Sequence, residues 1–287
     1  MKKQKIILGS LFFIAVLVWA IFFSIPSKNL EVTFCDVGQG DAALIKSPNN
    51  NQMLIDGGPS EKKILQCLSD GMPFWDRKIE FVVLSHPHAD HLTGLIEVLE
   101  RYDVGQIVAT DAINTSPEYE KWLSEIKEKK IPYELVSQIS AIDLGGGATA
   151  SVLYPRENFG ESKIDNLNNT SVVLRLEYAG VSFLFPGDAE KEEQEKLVIS
   201  RSSLAINSTF YKVPHHGSKN ALDENFLAVV SPKIAIISVG KDNQYGLPAG
   251  KTISALEKLG IEIKRTDEDE TIKVEVGMDG KYSLKSK

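Results

Sequence analysis

The chain has 287 residues, of which 43% are hydrophobic and 25% charged, a balance that supports a buried core and excludes a disordered or fibrous polymer. It carries 32 basic against 39 acidic side chains; four of the lysines and no acid fall in residues 1–28, so the remainder holds 28 against 39, or −11. That charge disfavours a general grip on polyanions, which draws its affinity from Lys and Arg, although a local basic patch beside bound cations would still attract one phosphate group.

Residues Met1 to Lys5 include three lysines, and residues 6–25 (IILGSLFFIAVLVWAIFFSI) then run for twenty positions without a charge. A helix of about 20 apolar residues spans the hydrocarbon core, and the lysines before it predict a cytoplasmic amino terminus. The run exceeds the ~7–15 apolar residues of a signal peptide and lacks the small residues of a cleavage site at its end. The expectation is one transmembrane helix within residues 1–28, a single-pass protein of the cytoplasmic membrane with its catalytic part outside the cytoplasm. A cleaved signal and a secreted chain form the alternative. Residues 29–287 read as one domain without a low-complexity linker, and no obligate protein partner is expected. Cys35 and Cys67 are the only cysteines; an exported location permits a disulfide, and a buried free thiol at Cys35 is the alternative.

Along the domain, Leu30–Phe34 and Ala42–Ile45 read as short strands joined by CDVGQGD, and Gln52–Ile55 pairs back across PNNN and stops at Asp56-Gly57-Gly58. A helix over Glu61–Ser69 and a buried strand over Ile79–Leu84 follow. Next come a helix (Leu92–Arg101), a strand (Gln106–Ala109), a helix (Pro117–Lys129) and a strand (Glu134–Val136). The second half is richer in strands: Ala148–Tyr154, Ser171–Tyr178 and Val181–Phe185, then an acidic helix in AEKEEQEKLV, strands at Thr209–Val213 and Ile234–Val239, and a last hairpin (Thr271–Val276, Lys281–Leu284). Two sheets packed face to face with helices outside would bring the loops of both halves together along one edge.

The densest chemistry lies directly after Phe81–Leu84, in SHPHADH. A lone histidine is usually a surface or satisfied core residue, but His86, His88, Asp90 and His91 put four ligand types into six residues. In extended backbone, side chains two apart point the same way, so His86 and His88 can converge on one ion while Asp90 and His91 address a second. Imidazole with carboxylate suits zinc, and also manganese or iron. The other two histidines, His215 and His216, are adjacent. Asp188 ends the Val181–Phe185 hairpin, where the plain alternative is a helix cap. Asp36 and Asp41 flank glycines in a turn; each is a candidate contact to a ligand histidine, and Gly38 and Gly40 would let the backbone approach the cleft.

Taken together, CDVGQGDA, SHPHADHLTG, NNTSVVLRL, LFPGDAE, KVPHHGS and SVGKDNQYG resemble, in order, the metallo-β-lactamase-fold hydrolases. They are most similar to the hydrolase domain of ComEC-type competence proteins, and the resemblance covers Leu30 to Lys287. It implies an α+β fold, a four-layer αββα sandwich, and a site for two divalent metals, zinc in the first place with manganese or iron as alternatives. By position it implies that His86 and His88 bind the first metal, Asp90 and His91 the second, and Asp188 both, with His216 completing the second site and His215 as the alternative ligand. The third histidine familiar at the first metal is missing; Asn168-Asn169-Thr170-Ser171 stands there. Asn169, Ser218, Asn243 and Tyr245 are candidate substrate contacts, with Lys219 close enough in sequence to Ser218 to help bind a phosphate. Leu247 stands where relatives often have histidine.

Two metals about 3.5–4 Å apart lower the pKa of a shared hydroxide and clamp the entering and leaving oxygens of an in-line displacement. The expected enzyme is thus an extracytoplasmic phosphodiesterase, acting on DNA or on an envelope phosphoester such as teichoic acid. Asp188 and Asp90 would serve catalysis as well as metal binding, and His215 would stabilise charge or protonate the leaving alkoxide. Amide or lactam hydrolysis on the same fold, and a non-catalytic accessory role in DNA uptake, are the alternatives.

Overall fold

The computed structural model describes residues 2–24, 28–160, 164–200 and 203–286. In chain order its strands are β1 (Leu30–Phe34), β2 (Ala43–Lys46), β3 (Gln52–Ile55), β4 (Lys78–Val83), β5 (Asp103–Ala109), β6 (Tyr133–Leu135), β7 (Ala141–Gly145), β8 (Ala148–Tyr154), β9 (Val173–Tyr178), β10 (Val181–Phe185), β11 (Phe210–Lys212), β12 (Ile234–Ile237), β13 (Glu262–Arg265), β14 (Ile272–Val276) and β15 (Tyr282–Ser286). The helices are α1 (Lys2–Ser24), α2 (Glu61–Gly71), α3 (Ala89–Arg101), α4 (Pro117–Lys129), α5 (Lys191–Ser200), α6 (Ser203–Ile206), α7 (Glu224–Val230), α8 (Gly250–Lys258) and α9 (Thr266–Asp269).

The strands form two sheets, ordered β15-β14-β1-β2-β3-β4-β5-β6 and β13-β12-β11-β10-β9-β8-β7. Period-two alternation sorts their side chains into layers. On β10, Phe183 and Phe185 enter the core between the sheets, joined there by Val32, Phe34, Met53 and Phe210. The opposite face of the first sheet packs Leu54, Val82 and Ile107 under α2, α3 and α4, with Trp122 fully buried. The second sheet turns Leu184, Tyr211 and Ile237 toward Leu197 of α5, Phe226 of α7 and Leu256 of α8. This is a mixed α/β architecture with two facing sheets and helices outside.

The strands that carry the site are parallel where it matters. β4 pairs parallel with β3 and β5, and β11 runs parallel to both β10 and β12. Parallel neighbours end on the same side, so the loops after β3, β4, β10, β11 and β12 open at one edge of the sandwich.

Two expectations are corrected here. The first is the membrane anchor: Lys2–Ser24 is helical, but among the described residues no helix is long and apolar enough to cross a membrane. The end of the span, with residues 25–27, lies outside the described residues. The single-pass membrane localisation falls with it. The second concerns omissions: no expectation covered β7, α6, α7, α8, β13 or α9. α7 is capped by Asp223, whose Oδ1 accepts the Phe226 N–H at 2.8 Å; β13 adds in parallel beside β12 and has no fully buried residue to advertise it. Cys35 and Cys67, with Cα atoms 5.8 Å apart, form a disulfide, so the free-thiol alternative is set aside.

Candidate metal centre

The site is assembled from seven loop regions. Ser85 and His86 follow β4, and His88 is the N-cap of α3, whose first turn carries Asp90 and His91. His86 Nε2 and His88 Nδ1 lie 2.9 Å apart, so the two-residue spacing does bring their nitrogens together. Close packing of this turn depends on glycine. A Cβ on Gly40 would stand 2.2 Å from the Asp90 carbonyl oxygen, and one on Gly94 2.0 Å from that of Gly57.

From the other half, β10 ends in Pro186-Gly187-Asp188, and β11 leads into His215 and His216. Both histidines have left-handed backbone (φ 49° and 52°), followed by Gly217 at 75°. Two non-glycine residues in that region cost on the order of 1–3 kcal/mol each, strain of the kind held at functional sites. The consequence is that the two rings diverge. His216 is buried, with Nδ1 2.9 Å from the Ser238 carbonyl oxygen and Nε2 3.2 Å from Asp90 Oδ2. His215 is partly exposed and has Nδ1 3.2 Å from Glu190 Oε1.

Asp90, His91, Asp188 and His216 bring four ligand atoms within 4.8 Å of one another. Asp188 is central. Its Oδ1 is held by the protein, accepting the His215 N–H at 3.0 Å and facing Lys212 Nζ at 3.5 Å. Its Oδ2 faces His91 Nε2 at 3.3 Å, His216 Nε2 at 3.8 Å and His86 Nε2 at 4.0 Å. One oxygen therefore stands between the paired His86 and His88 and the second group.

The surrounding residues fix these rings. Asp56 accepts the Ser85 N–H and Oγ–H, both at 2.7 Å, and its Oδ2 lies 2.9 Å from His91 Nδ1. A carboxylate on the far nitrogen of a histidine sets the tautomer and aims the other nitrogen. Asp41 bridges His216 Nδ1, at 3.4 Å, and the buried ammonium of Lys212, which also donates to the Gly187 carbonyl at 3.0 Å. Ser171 accepts the Asp188 N–H at 3.0 Å and lies 3.4 Å from His86 Nδ1.

The electrostatics divide the histidines. Burial, with the neighbouring positive His91, pushes His86 well below the ordinary histidine range, and burial likewise lowers His88. Burial also opposes a proton on His91, yet Asp188, Asp56 and Asp90 raise it well above that range. For His216 burial is again overcome, by Asp188 and Asp41, and its pKa rises to about 10. Asp188 and Asp90 stay ionised against the cost of burial because His91 and His216 face them. Protons on His91 and His216 thus supply the positive charge that this knot of carboxylates demands.

The donor set fits divalent metal. His91 Nε2 is buried without a hydrogen-bond partner, pointing among carboxylate oxygens and a second imidazole, the nitrogen and oxygen set that zinc, manganese and iron accept. The remaining expected residues are placed as follows. Asn168, buried, has Nδ2 3.5 Å from His215 Nδ1; Asn169 turns away, accepting the Glu190 N–H at 3.1 Å. Asn243 spends its side chain inside its own loop, on the Gly240 and Leu247 carbonyls and the Tyr245 and Leu247 N–H groups. Tyr245 is exposed, and Ser218 Oγ is buried without a partner. Asp36 pairs with Lys63 outside the cluster.

Residues 35–241 match the model of the metallo-β-lactamase superfamily. The chain belongs to that superfamily. Its relatives include the ComE operon protein 3 of Bacillus subtilis, 32% identical over 86% of this chain and 33% of the relative, and the competence protein ComA of Neisseria gonorrhoeae, 27% identical over 93% and 36%. The chain spans about a third of the length of these relatives. Among solved structures, the metallo hydrolase Igni18 of Ignicoccus hospitalis superposes with a TM-score of 0.55 at 12% identity, covering 85% of this chain and 98% of that one. The metallo-β-lactamase-fold protein YhfI of Bacillus subtilis gives 0.53 at 11%, covering 83% and 96%. Those likenesses speak to the fold. The protein is thus a superfamily member with a candidate metal-binding cluster, related to the ComEC-type competence proteins.

Proposed function

We propose that the chain is a phosphodiesterase acting on nucleic acid. The observation that carries this reading is the single Asp188 oxygen standing between His86 on one side and His91 with His216 on the other. That arrangement suits two cations a few ångströms apart, the separation used for in-line displacement at phosphorus. His86 and His88 would hold one metal, Asp90, His91 and His216 the other, with Asp188 common to both and zinc as the ion. When bound, the metals supply charge neutralisation for the phosphate oxygens and an activated water.

The protein's own groups do the rest. Lys212 and the His215 N–H pin Asp188, so its free oxygen keeps its direction. His215, partly exposed and with Nδ1 3.2 Å from Glu190 Oε1, would donate a proton to the leaving oxygen. The first site has Asn168 and Ser171 where a third imidazole would be familiar, which leaves it open to a phosphate oxygen. The names of the relatives, a competence protein among them, favour nucleic acid over other phosphoesters.

The test is metal-dependent hydrolysis of bis-p-nitrophenyl phosphate and of single-stranded DNA by the full chain, beside Asp188→Asn and with nitrocefin as a comparison. Turnover of both phosphodiesters that Asp188→Asn abolishes is the expected result. Turnover of nitrocefin alone would overturn the reading.

A further inference from the structure

Beside the metal centre, three lysines from separate elements converge on one hollow. Lys191 opens α5, Lys219 follows the His215–Ser218 turn, and Lys251 lies in the first turn of α8; together they line a cavity of about 220 Å³. Among the described residues none of the three is engaged by a carboxylate or a carbonyl. The acids around them are occupied: Glu192 and Glu193 pair with Lys196 at 3.1 and 2.7 Å, Glu190 with His215, and Asp223 caps α7. Among the described residues, Glu224 is the one lining carboxylate without such a partner.

The hollow is fastened to the loops that carry the metal ligands. Lys191 lies three residues past Asp188, and Lys219 three past His216. Gln194, fully buried, donates to the Ala189 and Ala221 carbonyls at 2.8 and 2.9 Å and accepts the Asp223 N–H at 2.8 Å. It thereby clips the loop after Asp188 to the loop after His216. The start of α8 is tied in the same way: Thr252 donates to the Ser218 carbonyl and the Ala249 N–H to that of Gly217, each at 2.8 Å. The backbone segments that carry Lys191, Lys219 and Lys251 are thus tied to the loops of Asp188 and His216, with the three side chains exposed, in a chain whose net charge is −7.

We propose that Lys191, Lys219 and Lys251 form a subsite for the phosphates of a nucleic-acid strand that flank the linkage being cut. The inference rests on the phosphodiesterase reading and deepens it: the substrate is a chain of phosphodiesters gripped beyond the scissile one. Ammonium groups act on phosphate as point charges and release counterions on binding. Three such contacts give a slope of about −2 in log affinity against log salt for a single strand, or about a 20-fold loss between 50 and 200 mM.

The test is fluorescence anisotropy of a short fluorescein-labelled phosphorothioate oligothymidylate, whose backbone resists cleavage, on the metal-loaded full chain. The wild type should give a slope near −2 and each single Lys→Gln change should remove about a third of it. Lys191→Gln, Lys219→Gln and Lys251→Gln together should flatten it and weaken low-salt binding about tenfold or more. A control triple of equal charge, Lys62→Gln, Lys127→Gln and Lys129→Gln on α2 and α4, should match the wild type. A triple hollow variant that keeps the slope, or a control that loses as much, would overturn the subsite. Poly(glycerol phosphate) displacing the probe as well as unlabelled oligothymidylate would overturn its assignment to nucleic acid. Hydrolysis of bis-p-nitrophenyl phosphate by the wild type is read separately. With turnover present but no lysine-dependent binding, this inference alone fails; with no phosphodiester turned over by the loaded protein, the reading beneath it fails.

Discussion

Metal loading of the second group should expel protons, and the number can be worked from the structure. His216 has its pKa raised to about 10 and His91 is raised well above the usual histidine range. Both are therefore imidazolium in the metal-free protein at neutral pH, whereas a metal needs the neutral ring. For His216, three pH units separate pH 7 from its pKa, so at pH 7 proton displacement costs about 4 kcal/mol of the binding energy. The sign follows: affinity rises with pH, by about one log unit per pH unit for each imidazole, until pH passes the pKa of that ring. Without metal the linkage runs the other way. A raised folded pKa gives stability that is full below the unfolded value near 6.5 and is lost as pH climbs toward 10. Titration calorimetry of zinc into the chelator-stripped protein, in buffers of different ionisation enthalpy at pH 7.5, should show about two protons released by these rings, and about one in His216→Ala. Net release below one proton, or an affinity unchanged between pH 6.5 and 8.5, would refute the assignment of these imidazoles as protonated ligands-in-waiting.

Three further outcomes follow from the same geometry. Asp56→Asn removes the charge that aims His91, and should cost about 10–100-fold in metal affinity, measured by competition with a chromogenic chelator. Gly40→Ala drives a methyl group into the Asp90 carbonyl, 2.2 Å away; metal stoichiometry by emission spectroscopy should fall below the wild-type value while circular dichroism keeps its helical signal. Reducing the Cys35–Cys67 bond, which closes a loop over a sequence separation of 32, should lower unfolding free energy by about 4 kcal/mol, read by urea denaturation with and without reductant.

The fold was legible wherever a strand or helix buries one clear face. β3, β8 and β10, and α4 from its Pro117 start, stand where the pattern put them. It was illegible where pattern and burial part: β13 has no buried residue, and α7 needed its Asp223 cap recognised inside NALDENF. At the site, the SHPHADH cluster and the histidine pair stood out because their chemistry is dense in sequence, and Asp188 through the family resemblance; the structure brings Asp90, His91, Asp188 and His216 together. Their supports did not stand out. Asp56 was seen only as the end of a strand, and its partners Ser85 and His91 lie 29 and 35 residues away. Lys212 was hidden by the expectation that lysine faces water, although period-two alternation from Phe210 already placed it on the face between the sheets. Asn168 and Asn169 could not be told apart, since neighbouring residues in a short turn point in directions that only the fold decides.

Lys212 also bears on why the first site tolerates the loss of a histidine. A buried ammonium costs several kcal/mol to desolvate and is retained only when paired and hydrogen-bonded on its remaining donors; here Asp41, Asp188 and the Gly187 carbonyl do that. It supplies one positive charge to a cluster in which Asp41, Asp56, Asp90 and Asp188 would otherwise repel. The orientation of Asp188 then depends on protein contacts, on Lys212 and on the His215 and Ser171 hydrogen bonds, and needs no fully coordinated first metal to hold it. On the two-metal reading proposed above, the second group, with four ligand atoms already gathered, would keep its ion. The first, with two neutral imidazoles and one shared oxygen, would on the same reading exchange coordination with a substrate oxygen. Substituting Lys212→Met should therefore cost more than a surface lysine would, about 3–5 kcal/mol of stability for the carboxylate left unpaired, and should loosen both metals together because Asp188 serves both. Loss of the first metal alone in that variant, with the second bound as in the wild type, would show that Asp188 is oriented by the metals and not by the lysine.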